Sequence, residues 1–214
     1  MIEQHVSGTV FGVILNDAAS LAAIGDLEAP PYKGAPKAPA MYIKPANTLL
    51  ASGGRVSLPT GEKAVEVAAT IGLVIGRTVA CAEPSRALDH IAGLVLAADL
   101  SLPHVSYYRP AIREKCFDGA LPLGDVHPDV DIAGLTLVTS IDGEIIDRRA
   151  FTDLIRSPSQ LLAEVSGWMT LSTGDVLLVG IRYRAPQARV GQSVQIRAEG
   201  LGSVNFTLAE GASA

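Results

Sequence analysis

The chain has 214 residues, 48% hydrophobic and 18% charged, with 21 glycines, 13 prolines and a net charge of −5. That length buries a core without disulfides or structural metals, and the charge pattern, free of long like-charge runs, offers no footprint for nucleic acid or anionic lipid. No run of 18 apolar residues is present to span a membrane, the first ten residues lack the order of a signal peptide, and Cys81 and Cys116 stand 35 positions apart without a CxxC pair, so a cytoplasmic globular protein is expected.

Gly8–Asn16 is apolar and rich in β-branched residues, which predicts a strand. Ala29–Pro39 holds four prolines and two lysines and reads as a surface loop. A short strand is expected at Met41–Lys44, ended by Pro45. Val65–Gly76 is almost entirely apolar or small, as a strand buried on both faces would be. Pro84 then suits the first position of a helix, and Ala87, Leu88, Ile91, Leu94, Val95 and Ala98 fall at helical spacing, which puts Asp99 at that helix's end. Leu102–Leu121 shows no period and is expected to be irregular, a placement often tied to function.

Leu135–Ile141 and Glu144–Asp147 flank Asp142-Gly143, a favoured two-residue hairpin turn. Ser157 and Gln160 make a capping box with Pro158 at the first helical position, and the helix they open carries Leu161, Leu162, Val165, Trp168 and Met169 on one face. Val176–Ile181, Val194–Ala198 and Val204–Leu208 are expected strands. Two main helices among many strands give an α+β, mostly β fold dominated by antiparallel pairing. No linker divides the chain, so residues 1–214 are expected to form one domain.

No phosphate loop, Ser-His-Asp signature or zinc spacing is present. The histidines (His5, His90, His104, His127) are scattered, and a solvated or capping role outweighs a catalytic one for each. Asp99 and Lys115 border the irregular stretch, which also carries Tyr107, Tyr108, Arg109 and Arg113. A carboxylate with cationic neighbours suits a metal-bound or carboxylate-bearing small molecule. By pattern alone, a turn-capping Asp99 and a surface ion pair at Lys115 weigh more, roughly two to one.

Several pieces together resemble the fumarylacetoacetate hydrolase family: Ile43-Lys44-Pro45, Leu73-Val74-Ile75-Gly76, Ile91-Ala92-Gly93, Ala98-Asp99-Leu100-Ser101, Lys115-Cys116-Phe117-Asp118, Pro122-Leu123-Gly124, and Thr170-Leu171 with Gly174-Asp175. Their order holds from about residue 8 to residue 205. Pro31-Tyr32-Lys33, Ser101-Leu102-Pro103 and Ser106-Tyr107-Tyr108-Arg109-Pro110 are similar to the first half of the family's two-repeat isomerase/decarboxylases of hydroxyphenylacetate degradation, a half that also occurs as a separate subunit. The resemblance implies a mixed β-sandwich roll around a divalent cation, usually Mg2+, that polarises a 2-oxo or 2-hydroxy-dienoic di- or tricarboxylate. It implies Asp99 as a metal ligand and Lys115 as the lysine that offsets developing charge; Arg109 with Lys115 are the substrate-binding cations expected from the cationic stretch itself. Expected partners are the small oxo-carboxylate and a homologous second subunit, a second copy of the chain, or both.

The chain departs from the family where the metal binds. The family writes Glu-x-Glu before its Leu-Ala-Val-Val-Ile-Gly strand; counted back from Gly76, those positions are Ala68 and Thr70. Glu66 shares their strand face but lies roughly 7 Å further back, enough to rescue one ligand at most. An early Asn-Tyr-x-x-His becomes Asn16-Asp17-Ala18-Ala19-Ser20, and a late Gly-Thr-Pro becomes Gly180-Ile181-Arg182. Scaffold residues are kept and ligands lost, which points to an enzyme subunit with an impaired metal site. The alternatives are an active enzyme using Asp99, Lys115 and Glu66, a metal-free dicarboxylate-binding module, and a silent scaffold.

Overall fold

The computed structural model describes residues 6–30, 34–104, 111–128 and 130–211. It is mostly β, with two curled sheets. The larger sheet runs in the order β2 (Ala40–Lys44), β1 (Val10–Ile14), β10 (Val176–Leu178), β5 (Ala64–Ile75), β6 (Ile91–Ser101), β7 (Leu121–His127), β3 (Leu49–Ala51), with β11 (Gln187–Arg189) paired to β5 off that path. The smaller runs β4 (Arg55–Leu58), β13 (Gly202–Glu210), β12 (Ser193–Ala198), β8 (Thr136–Ile141), β9 (Glu144–Ala150). Pairing is antiparallel except at β1–β10, β3–β7 and β4–β13. Among the described residues three short α-helices accompany them: α1 (Ala18–Ile24), α2 (Ile112–Lys115) and α3 (Pro158–Ser166). No helix among the described residues is long and apolar enough to cross a membrane.

Alternation along two long strands builds the core. Val65, Val67, Ala69, Ile71, Leu73 and Ile75 of β5 and Leu94, Leu96, Ala98 and Leu100 of β6 join one cluster with Leu58, Leu137, Ile196, Val204 and Phe206 of the smaller sheet. The opposite faces are buried too, Val74, Val95 and Ala97 packing with Leu121, Leu123, Val176 and Leu178. A strand enclosed on both sides must be apolar throughout, and such a run also satisfies a helical period.

That is why the helix expected from Pro84 is not there. Only Ala87–His90 makes a 3₁₀ turn, and from Ile91 onward the chain is strand β6. Asp99 accordingly sits inside a strand rather than at a helix end. Of the two main helices expected, only the one after Ser157 forms. The irregular stretch from Leu102 contains helix α2, while Arg109 and its neighbours 105–110 lie outside the described residues.

Local signals elsewhere hold. Asp142 and Gly143 both have positive φ (50° and 84°), as the tight β8–β9 hairpin requires. Ser157 accepts from the Gln160 backbone N–H while Gln160 accepts from Ser157, and Pro158 opens α3. The helix ends at Ser166, so Trp168 lies beyond it and is 61% exposed instead of sharing its apolar face.

Ser157→Ala removes one half of the capping box and is expected to cost about 1 kcal/mol. The check is a lower urea midpoint at unchanged m-value.

Candidate functional site

Strands β5 and β6 place the candidate residues by register. Glu66 pairs with Ser101, Ala68 with Asp99 and Thr70 with Ala97. Directly opposed residues of an antiparallel pair share a face, so Glu66, Ala68, Thr70, Ser101 and Asp99 look to the same side. The face next to Asp99 is therefore a methyl group at Ala68. Thr70, fully buried, spends its hydroxyl on the Gly180 carbonyl at 2.5 Å.

Asp99 is completely buried and surrounded by donors. Its Oδ1 accepts from Lys115 Nζ at 3.0 Å and pairs with Lys44 Nζ at 3.1 Å. Its Oδ2 accepts from the Tyr42 hydroxyl. Lys44 and Tyr42 come from β2, Lys115 from the last position of α2. Burial alone would raise the Asp99 carboxyl, but Lys115, Lys44 and the Tyr42 hydrogen bond outweigh it and hold the group below the usual carboxylate range. Desolvation and the adjacent carboxylate keep the Tyr42 phenol protonated, well above its ordinary range.

The two lysines play different parts. Lys44 Nζ also donates to the carbonyls of Leu100 (2.8 Å), Lys115 (2.8 Å) and Ala120 (3.0 Å), so it has more acceptors than protons. Burial draws it down to about 8, against the pull of Asp99, and it is still mainly charged at neutral pH. Lys115 instead lies over the Tyr42 ring, 4.6 Å from its centroid, and borders the cavity. The surface ion pair that the sequence pattern favours for Lys115 is in fact a buried one, 7% and 0% exposed at its two side chains.

The cavity between these residues is small. Glu66, Ala68, Asp99, Ser101, His104, Lys115, Ile181 and Arg182 enclose about 10 Å³, about one water molecule's space. Glu66 is half-buried, its carboxyl raised by desolvation although His104, Lys115 and Arg184 pull the other way. Arg182 is tied to Asp147 at 2.9 Å. Behind Thr70 lies a further buried cation, Arg149, whose Nη1 donates to the carbonyls of Ala69 (2.8 Å) and Gly180 (3.0 Å). Burial draws it down to about 10.

The structure thus brings Asp99, Lys115 and Glu66 together, with Ala68 and Thr70 beside them. The residue-by-residue reading of the sequence did not single out Tyr42, Lys44, His104, Arg149 or Arg182. Lys44 carried a signal, since it belongs to the Ile43-Lys44-Pro45 motif, and so did Arg182, in the Gly180-Ile181-Arg182 stretch; Tyr42 and Arg149 carried none, because contacts between segments far apart in sequence bring them to the site. Among the described residues no group of three or more His, Cys, Asp or Glu side chains stands where it would hold a metal ion.

Fold and site motifs together define the class. The chain belongs to the fumarylacetoacetate hydrolase family, matching Fumarylacetoacetate (FAA) hydrolase C-terminal over residues 9–209. Among named relatives it is 41% identical to the 4-hydroxyphenylacetate degradation bifunctional isomerase/decarboxylase of Salmonella dublin, over 92% of this chain and 46% of that protein. The homoprotocatechuate catabolism bifunctional isomerase/decarboxylase of Escherichia coli is 38% identical over 91% and 46%. The chain therefore spans about half the length of these relatives. Its fold matches 5-carboxymethyl-2-hydroxymuconate delta-isomerase from Mycobacterium smegmatis (TM-score 0.81, 25% identity, 96% of this chain and 80% of that one). It also matches fumarylpyruvate hydrolase from Pseudomonas aeruginosa, solved with Mn2+ and pyruvate (TM-score 0.79, 22% identity, 95% and 90%), a likeness of fold alone.

Asp99→Asn leaves two buried ammonium groups without their counter-ion and is expected to cost about 3–5 kcal/mol at pH 7. Because the folded carboxyl lies below its unfolded value, its contribution is complete above the unfolded value and is lost as pH falls through the folded one. Urea unfolding from pH 7 into the acid range should show the gap between wild type and Asp99→Asn closing as pH drops.

Proposed function

We propose that this chain is one subunit of a cytoplasmic isomerase/decarboxylase acting on 2-oxo and 2-hydroxy-dienoic di- and tricarboxylates in hydroxyphenylacetate catabolism, and that its own site takes no divalent cation. In this proposal residues 1–214 form one family domain that assembles with a homologous second subunit, and that subunit carries the metal-dependent step. The pathway rests on 38–41% identity to the bifunctional relatives, and the division of labour on Ala68 and Thr70 standing where the family writes its paired glutamates.

One observation carries the metal-free part: both oxygens of Asp99 are engaged by Tyr42, Lys44 and Lys115, and the residue facing Asp99 across the pair is Ala68. Mg2+ asks for near-octahedral hard oxygen ligands at about 2.0–2.1 Å. The donors at hand are one carboxylate with both oxygens already engaged, a buried threonine hydroxyl whose proton is held by the Gly180 carbonyl, and Glu66, the residue paired with Ser101 rather than Asp99. Two ammonium groups at the same carboxylate repel a further cation. This donor set does not fit the ion.

What the chain's residues do is hold a rigid frame. Lys44 ties β2 to β6, to the end of α2 and to the residue before β7, and Asp99 fixes Lys115 at the cavity wall. A second reading, capture of a dicarboxylate without chemistry, is favoured by Lys115 and Arg182 both lining that wall. It requires the cavity to widen well beyond a single water's volume.

Metal analysis of the purified chain after dialysis tests the main proposal. Far less than one Mg2+ or Mn2+ per chain is expected, and near-stoichiometric metal would defeat it. Mixing with a homologous subunit that retains the Glu-x-Glu pair should raise decarboxylase or isomerase turnover; no gain would argue against the heteromer. A rise in thermal midpoint with a metal-free dicarboxylate would favour the second reading.

A further inference from the structure

The two missing glutamates are one obstacle to a cation at Asp99, and Tyr42 is another that the sequence comparison with the family does not reveal. Its phenol donates to Asp99 Oδ2, the oxygen that neither lysine takes. Its ring belongs to a small apolar cluster with Ile14, Ala68, Ile181 and Ala185, so it packs in the space beside the first lost ligand position. Lys115 sits over the same ring.

The ring reaches this place because of a glycine on the neighbouring strand. Gly12 pairs directly with Tyr42. A Cβ on Gly12 would stand 2.0 Å from Tyr42 Cζ and 2.5 Å from its hydroxyl oxygen. No side chain at position 12 is compatible with the observed ring, so Gly12 is the seat on which Tyr42 lies across toward Asp99.

We propose that Tyr42, seated on Gly12, is the residue that commits the Asp99 site to a metal-free state, by occupying the second carboxylate oxygen and the volume next to Ala68. The proposal rests on the metal-free assignment above and adds to it: restoring the two glutamates alone does not rebuild a cation site while Tyr42 keeps its hydroxyl. Tyr42 is a specificity-determining residue in this sense, setting which class of ligand Asp99 can meet.

The test is Mn2+ binding by the full chain, read as loss of the free-ion electron paramagnetic resonance signal. Four proteins are compared: wild type, Ala68→Glu/Thr70→Glu, the same pair with Tyr42→Phe, and the same pair with Gly12→Ala. The Tyr42→Phe triple variant is expected to bind roughly tenfold to a hundredfold more tightly than the double variant, the scale of one hydrogen bond to a charged group. Gly12→Ala, which displaces the ring without altering its chemistry, should move affinity the same way. Circular dichroism and the thermal midpoint establish that each variant is folded, and Tyr42→Phe alone removes only one oxygen. If the double variant binds as tightly as the Tyr42→Phe triple, the inference about Tyr42 is overturned while the metal-free assignment stands. If wild type itself binds Mn2+ near-stoichiometrically, both are overturned.

Discussion

The Asp99 carboxylate, sealed between two lysines and a tyrosine, is the interaction on which the rest of the site depends. A lone carboxylate at zero exposure would be costly to keep charged. It stays charged because Lys44 and Lys115 reach the same oxygen and Tyr42 the other. The dependence runs in both directions. Lys44 has no other carboxylate partner among the described ion pairs, and its three backbone acceptors lie on β6, on α2 and just before β7. One ammonium group therefore fixes three segments around one acid, and the position of Lys115 at the cavity follows from that.

Register explains why these groups meet. β6 pairs with β5 such that Asp99 faces Ala68, and β2 pairs with β1 such that Tyr42 faces Gly12. Each pairing puts a polar group against the smallest available neighbour. Ala68 leaves room for the Tyr42 ring, and Gly12 gives the ring a surface to lie on. Shifting the β5–β6 pair by one residue would turn Asp99 to the opposite face, where Ala98 and Leu100 pack in the apolar core. The apolar alternation of β5 and β6 thus guards the polar cluster as well as the hydrophobic one.

Much of this was legible in the sequence, and the failures have physical causes. Asp142-Gly143 and Ser157 with Gln160 announce a turn and a cap because their chemistry is local: a positive φ, a side chain meeting a nearby N–H. Ile91–Ala98 reads as part of a helix because a strand buried on both faces has no polar side to reveal a period of two, and alanines at 92, 97 and 98 lend it helical propensity. Ala68 and Thr70 were found by counting from a motif, and their shared face with Asp99 followed from strand geometry. Tyr42 and Arg149 were not found, since what brings them to the site is pairing and packing between segments far apart in sequence. Nothing within a few residues of Tyr42 records that Asp99 will be its partner.

The lysines' persistence beside an altered ligand set also makes electrostatic sense. If two glutamates and one divalent cation leave a site together, two negative and two positive charges leave, and the net charge is unchanged. Asp99, Lys44 and Lys115 then keep a balance they already had, so the scaffold need not be rebuilt. Losing the glutamates while a cation stayed would instead add two positive charges' worth of imbalance to a buried cluster that already holds two ammonium groups against one carboxylate. At effective dielectric constants of about 20, each such like-charge contact near 4 Å is worth about 4 kcal/mol, a large share of a typical domain's stability. On that balance the loss of two glutamates and of a cation would be coupled changes, and the Tyr42 phenol engages Asp99 without adding charge.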